Sequence, residues 1–147
     1  MRTLGVDFGL QRVGLALSDS EGKLAMPYET LRHRGKKKLV QNLLDIIELE
    51  GVQRVVLGLP KSQSGDETLG VRQVKNLARS LRRATGWQIY LLDETLSSYE
   101  AWQRLKSAGV RTKKQKSILD QQAAVLILEN FLQHPEQAQV WEQDSLR

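Results

Sequence analysis

Apolar residues alternate along the first part of the chain and recur at helical spacing later, and this change of period marks out the architecture. From Thr3 to Phe8, Leu4, Val6 and Phe8 face one way while Thr3, Gly5 and Asp7 face the other, as in a half-buried strand. Val13 to Ser18 is a second apolar run after a short turn, which predicts a β-hairpin. Lys23 to Leu31 reads as a third strand, with Pro27 placing it at a sheet edge or a bulge. The period then lengthens. Leu39, Val40, Leu43, Leu44, Ile46 and Ile47 predict a helix that Gly51 can end. Val55-Val56-Leu57 is a short buried strand. Ser64-Gly65-Asp66-Glu67 fits a capping box that opens a helix with the apolar stripe Val71, Val74, Leu77, Ala78 and Leu81, ended by Gly86. Trp87 to Leu92 predicts another strand, Tyr99 to Lys106 a helix, and about Ile118 to Leu132 a final one.

The order is β-β-β-α-β-α-β-α-α. Strands that alternate with helices require parallel pairing and right-handed crossovers. The predicted fold is therefore α/β: a mixed five-stranded sheet, with a three-strand antiparallel meander followed by parallel β-α units and helices on both faces. One domain is expected over residues 1–134, with a C-terminal tail over 135–147. Sites in such sheets form beyond the carboxyl ends of the central strands.

Composition narrows the classes. No apolar run approaches the roughly 18 residues that span a bilayer, so no membrane segment is expected. The first residues lack the apolar run and small-residue cleavage site of a signal peptide. With no cysteine, disulfides and thiolate metal sites are excluded, which suits a cytoplasmic location. The net charge of +5 is unevenly spread. One basic cluster is Arg32-His33-Arg34-Gly35-Lys36-Lys37-Lys38. Another runs through Arg104, Lys106, Arg111, Lys113, Lys114 and Lys116, with no acid between Glu100 and Asp120. Clustered positive charge suits a polyanionic partner such as nucleic acid.

Some carboxylates stand in costly places. Asp7 ends the first strand between Val6 and Phe8, where an acid near a sheet centre needs something to neutralise it. Alone, it reads better as a cap on the Gly9 turn. Asp93 and Glu94 close a later strand and point to opposite faces, so only one can easily join a given site; spacing does not choose between them. Asp120 lies on the core-facing side of the last helix, in line with Ala123, Ala124, Ile127, Leu128 and Phe131. Ser117-Ile118-Leu119-Asp120 also fits a capping box with Asp120 at its third helical position. Acids from two strand ends and a helix start, meeting at one sheet edge, would bind a hard divalent ion, Mg²⁺ or Mn²⁺. Such ions hydrolyse phosphodiesters, and flanking bases would hold the backbone.

Four segments carry a resemblance to a known family. They are Gly5-Val6-Asp7-Phe8-Gly9 through Arg12-Val13-Gly14-Leu15-Ala16, then Gly58-Leu59-Pro60 with Gly65, Asp93-Glu94 with Leu96-Ser97-Ser98, and Asp120 with Ala123-Ala124. In this order they resemble the YqgF family, also called RuvX and described as pre-16S rRNA nucleases, whose members are similar to RuvC-type Holliday junction resolvases. The resemblance implies a ribonuclease H-like fold and a metal-dependent nuclease acting on structured RNA or branched DNA as a monomer or homodimer. It places the catalytic, metal-binding acids on Asp7, Glu94 and Asp120. It also marks Arg12 and the Gly58–Gly65 loop as substrate-side elements. Two positions depart from the family pattern: Gln11, where a basic residue is frequent, and Thr95, where an Arg commonly follows the acidic pair. Both remove positive charge near the site.

Lys113, Lys114 and Lys116, just before the helix of Asp120, are the favoured phosphate contacts, with Lys61 a weaker candidate. Arg72, Lys75, Arg79 and Arg82 form a basic stripe read as a solvated helix face. Trp87, Trp102, Trp141 and Tyr99 could stack on bases, but such spacings more often mark core residues. The leading expectation is hydrolysis at the 5′ end of pre-16S rRNA. The alternatives are resolution of Holliday junctions, a non-catalytic nucleic-acid-binding factor, and an actin-like nucleotide fold suggested by Asp7-x-Gly9-x₄-Gly14.

Overall fold

The computed structural model describes residues 1–60, 69–93 and 113–141, the side chains of residues 113–117 excepted. The strands are β1 (Thr3–Asp7), β2 (Arg12–Ser18), β3 (Ala25–Arg32), β4 (Arg54–Leu59), β5 (Ile89–Asp93) and β6 (Gln139–Val140). The helices are α1 (Lys36–Glu50), α2 (Leu69–Thr85) and α3 (Lys113–Gln133). One sheet takes the order β3-β2-β1-β4-β5-β6. The first three strands form the antiparallel meander, while β4 and β5 add in parallel to β1.

The alternation in β1 decides which helix covers which face. Leu4, Val6, Val13, Leu15, Val55 and Leu57 pack with Leu39, Leu43 and Ile46 of α1 and Val74, Leu77 and Leu81 of α2. On the other face, Ala16, Val56 and Leu92 meet Ala123, Ala124, Ile127, Leu128 and Phe131 of α3. Both predicted apolar stripes are buried. Gly51 ends α1 in the left-handed conformation, with φ of 68°, as only glycine does cheaply.

Pro27 acts in both predicted ways. β3 is the edge strand, and its pairing with β2 shifts register between Leu15 and Ala16, opposite the Pro27 region. After the bulge, Tyr28 turns toward the α1 core and its hydroxyl donates to Glu50 Oε2 at 2.7 Å. That hydrogen bond, then partial burial, then the charges of Glu50 and Glu29 push the phenol up to about 12.

Two boundaries differ from expectation. The sheet has six strands rather than five, because Gln139–Val140 pairs antiparallel with Tyr90 and Leu91 of β5. A two-residue strand is too short to leave an alternating pattern. The last helix starts at Lys113, not near Ile118, because its first turn is lysine-rich and has no apolar stripe to betray it. Ser117 is therefore inside the helix, and the capping-box reading of Ser117 to Asp120 does not hold. The predicted Tyr99–Lys106 helix and the Ser64–Glu67 capping box lie outside the described residues. Among the described residues, no helix is long and apolar enough to cross a membrane.

Candidate active site at the carboxyl end of β1

β1 lies between β2 and β4, so its carboxyl end opens near the middle of the sheet. Gly5 faces α3 so closely that an added Cβ would stand 2.9 Å from Leu128 Cβ and 3.2 Å from the Ala124 carbonyl oxygen. Asp7, two residues on, emerges on the same face. Its register partner across β2 is Gly14. A Cβ on Gly14 would overlap the backbone carbonyl of Asp120. Asp7 and Asp120 thus meet the same glycine, one from the neighbouring strand and one from the covering helix. Gly14 serves this close approach of α3 and does not line an open phosphate loop.

Asp120 is only 4% exposed. Burying a carboxylate that deeply requires a partner. Arg12, at the start of β2, supplies it: Nε donates to Asp120 Oδ2 at 2.7 Å across 108 residues of sequence. The arginine side chain stays 32% exposed, so one side remains open to solvent. Ala123 and Ala124, both fully buried, let α3 lie against the sheet one turn beyond the acid.

Asp93 is not part of this arrangement. Leu91 belongs to the α1/α2 core and Leu92 to the α3 core, so the exposed Asp93 points to the α1/α2 side. Glu94 and Lys61 lie outside the described residues. Lys113, Lys114 and Lys116 fall within the first turns of α3, on the backbone leading to Asp120. Among the described residues, no group of three His, Cys, Asp or Glu side chains is gathered for a metal. The described part of the site is a pair of carboxylates, one half-buried and one buried, with a guanidinium between the latter and solvent. An all-oxygen pair of this kind matches a hard divalent cation.

Sequence reasoning named the Arg32–Lys38 cluster but gave it no place in a site. In the fold, Arg32, His33 and Arg34 join Leu10, Gln11, Arg12 and Thr30 around a cleft of about 590 Å³ beside Asp120. The α2 stripe lies on the opposite face of the sheet: Arg82 Nη1 donates to the Trp87 carbonyl at 2.9 Å, and Arg79 sits 5.8 Å from the Trp141 ring centroid. Trp87 and Trp141 pack against the core, while Tyr99 and Trp102 lie outside the described residues.

The mixed sheet and its helix-covered faces define a ribonuclease H-like fold, as in RuvC of T. thermophilus. The RuvC structure in complex with Holliday junction substrate aligns with a TM-score of 0.60 at 13% identity, covering 95% of this chain and 99% of that one. A second Thermus thermophilus RuvC structure aligns with a TM-score of 0.56 at 15% identity, over 95% and 99% of the two chains. The chain belongs to the RuvX family: the model described as "RuvX: Holliday junction resolvase" matches residues 1–134. A relative from Maridesulfovibrio salexigens, named "Putative pre-16S rRNA nuclease", is 46% identical over 90% of this chain and 98% of its own length. One of the same name from Nitratidesulfovibrio vulgaris is 41% identical over 93% and 96%.

Proposed function

We propose that the chain is a metal-dependent nuclease that hydrolyses phosphodiester bonds at the 5′ end of pre-16S rRNA. The observation that carries this reading is the meeting of Asp7 and Asp120 around Gly14, at the carboxyl end of a central strand. The name shared by relatives at 41–46% identity favours the ribosomal substrate.

Asp7, Asp120 and Glu94 would hold Mg²⁺ or Mn²⁺. Glu94 is the favoured third ligand because the family resemblance marks it and its neighbour Asp93 is exposed on the α1/α2 side of the sheet. A bound divalent ion would make water nucleophilic and offset charge on the leaving oxygen. The chain's own contribution is positional. The rigid strand end fixes Asp7, and the packed α3 fixes Asp120. Arg12 neutralises Asp120 and presents its open side to an incoming phosphate. Lys61, Lys113, Lys114 and Lys116 are the lysines that would contact phosphate.

Cleavage of a labelled 5′ precursor segment of 16S rRNA, with Mg²⁺ or Mn²⁺, tests the proposal, with a synthetic four-way DNA junction as the second substrate. The expected result is RNA cleavage by the wild type and none by Asp7→Asn. Equal cleavage by both would remove Asp7 from the chemistry, and cleavage of the junction alone would replace the ribosomal substrate with the one in the family's description.

A further inference from the structure

Arg12 and Arg32 stand directly opposite each other where β2 pairs with β3. Like charges in that relation repel. Asp120 meets the charge of Arg12, whereas Arg32 and the nearby Arg34 have no carboxylate partner among the described residues. Both are exposed and both line the cleft. Two guanidinium groups with no ion-pair partner among the described residues, beside a third, in a concavity of about 590 Å³, make a place where an anion relieves repulsion.

The cleft is held in shape. Its Thr30 side is tied to α3 by Gln121 Nε2, which donates to Thr30 Oγ1 at 3.2 Å. The His33 backbone N–H donates to the Gln11 carbonyl at 2.9 Å, and its ring meets Phe8 edge-on with centroids 5.0 Å apart. The lining also includes Leu10, 63% exposed, which offers an apolar surface to a sugar or base. Arg12 lines the cleft and also bonds Asp120, so the cleft borders the site of the buried carboxylate.

We infer that this cleft is a binding groove for the phosphodiester backbone of a nucleic-acid strand, with Arg32 and Arg34 as phosphate contacts that deliver the strand to Asp7 and Asp120. The inference rests on the nuclease reading above for its ligand class. It adds a second contact surface, formed by the end of β3 and the loop into α1, to the lysines expected at α3.

Fluorescence anisotropy of the full chain with a labelled single-stranded RNA, the matching DNA and a four-way DNA junction, over a salt series, tests it. Arg32→Ala/Arg34→Ala should weaken binding about tenfold at low salt and flatten the single-strand salt slope by about 1.4, or 0.7 per lost phosphate contact. Arg32→Lys/Arg34→Lys should keep the slope. Tighter binding of RNA or of DNA identifies the source of the backbone, and either supports the groove. Unchanged affinity and slope in the alanine variant would overturn it, as would absence of nucleic-acid binding by the wild type. Displacement of the strand by equimolar inorganic phosphate would overturn it too, by reducing the cleft to an ion site. Wild-type binding that depends on Arg32 and Arg34 without cleavage of any substrate would leave the groove standing while the nuclease reading fell.

Discussion

Gly14 and Asp120 share one space: the atom that any other residue would add at position 14 overlaps the carbonyl oxygen of residue 120. The helix bearing the buried acid therefore rests on bare backbone. Gly14→Ala must push α3 off the sheet and is expected to cost about 2–4 kcal/mol, with loss of cleavage. Gly5→Ala makes a milder overlap, 2.9 Å from Leu128 Cβ, and should cost about 1–3 kcal/mol. Urea unfolding of the two variants should rank them in that order; a silent Gly14→Ala would contradict the packing described.

Removing Arg12 strands a carboxylate whose side chain is 5% exposed. Because the arginine is partly solvated, Arg12→Ala is expected to destabilise by about 2–3 kcal/mol, below the range for fully buried pairs. Asp120→Asn in the same chain should recover much of that loss. Mg²⁺ should raise the melting temperature of Arg12→Ala more than that of the wild type, since a cation then has the carboxylate to itself. Thermal melts with and without the ion read both effects.

Asp93 and Asp7 make a paired test of face. Asp7→Asn should lower kcat by more than about a hundredfold, the equivalent of losing roughly 3 kcal/mol of transition-state stabilisation. Asp93→Asn, exposed on the other side of the sheet, should cleave at the wild-type rate. Single-turnover cleavage of one RNA distinguishes them.

The Tyr28–Glu50 contact gives a pH signature. Its phenol is raised to about 12 in the folded chain, above its ordinary value of 10. The folded state thus holds the proton more tightly, so the contact's stabilisation is complete below pH 10 and disappears as pH rises toward 12. The largely solvated setting keeps this below about 1 kcal/mol. Urea midpoints of wild type and Tyr28→Phe should converge over that window. A gap that widened with pH would reverse the sign.

Much of this was readable in advance because burial imposes periods. The alternation of Leu4, Val6 and Phe8 against Gly5 and Asp7 put the acid on the α3 face, and the Ala123 to Phe131 stripe turned Asp120 inward. What stayed hidden lacked a period. The lysine-rich start of α3 reads as a loop, and Gln139–Val140 is too short to alternate. The Arg12–Asp120 bond joins residues 108 apart, a tertiary pairing that no local pattern encodes. Arg32 and Arg34 were visible as charge, but only the β2–β3 register shows that Arg32 confronts Arg12. Glu94 and Lys61 lie outside the described residues.

The two margins of the sheet carry a further consequence. A strand border displays unpaired amides that invite pairing by any extended peptide, including one from another molecule. On one side Pro27 deletes a donor and the adjacent bulge twists β3 out of line; on the other, Gln139–Val140 covers β5. Both borders are blunted by small irregularities rather than by barrel closure, which leaves the molecule guarded against runaway strand addition.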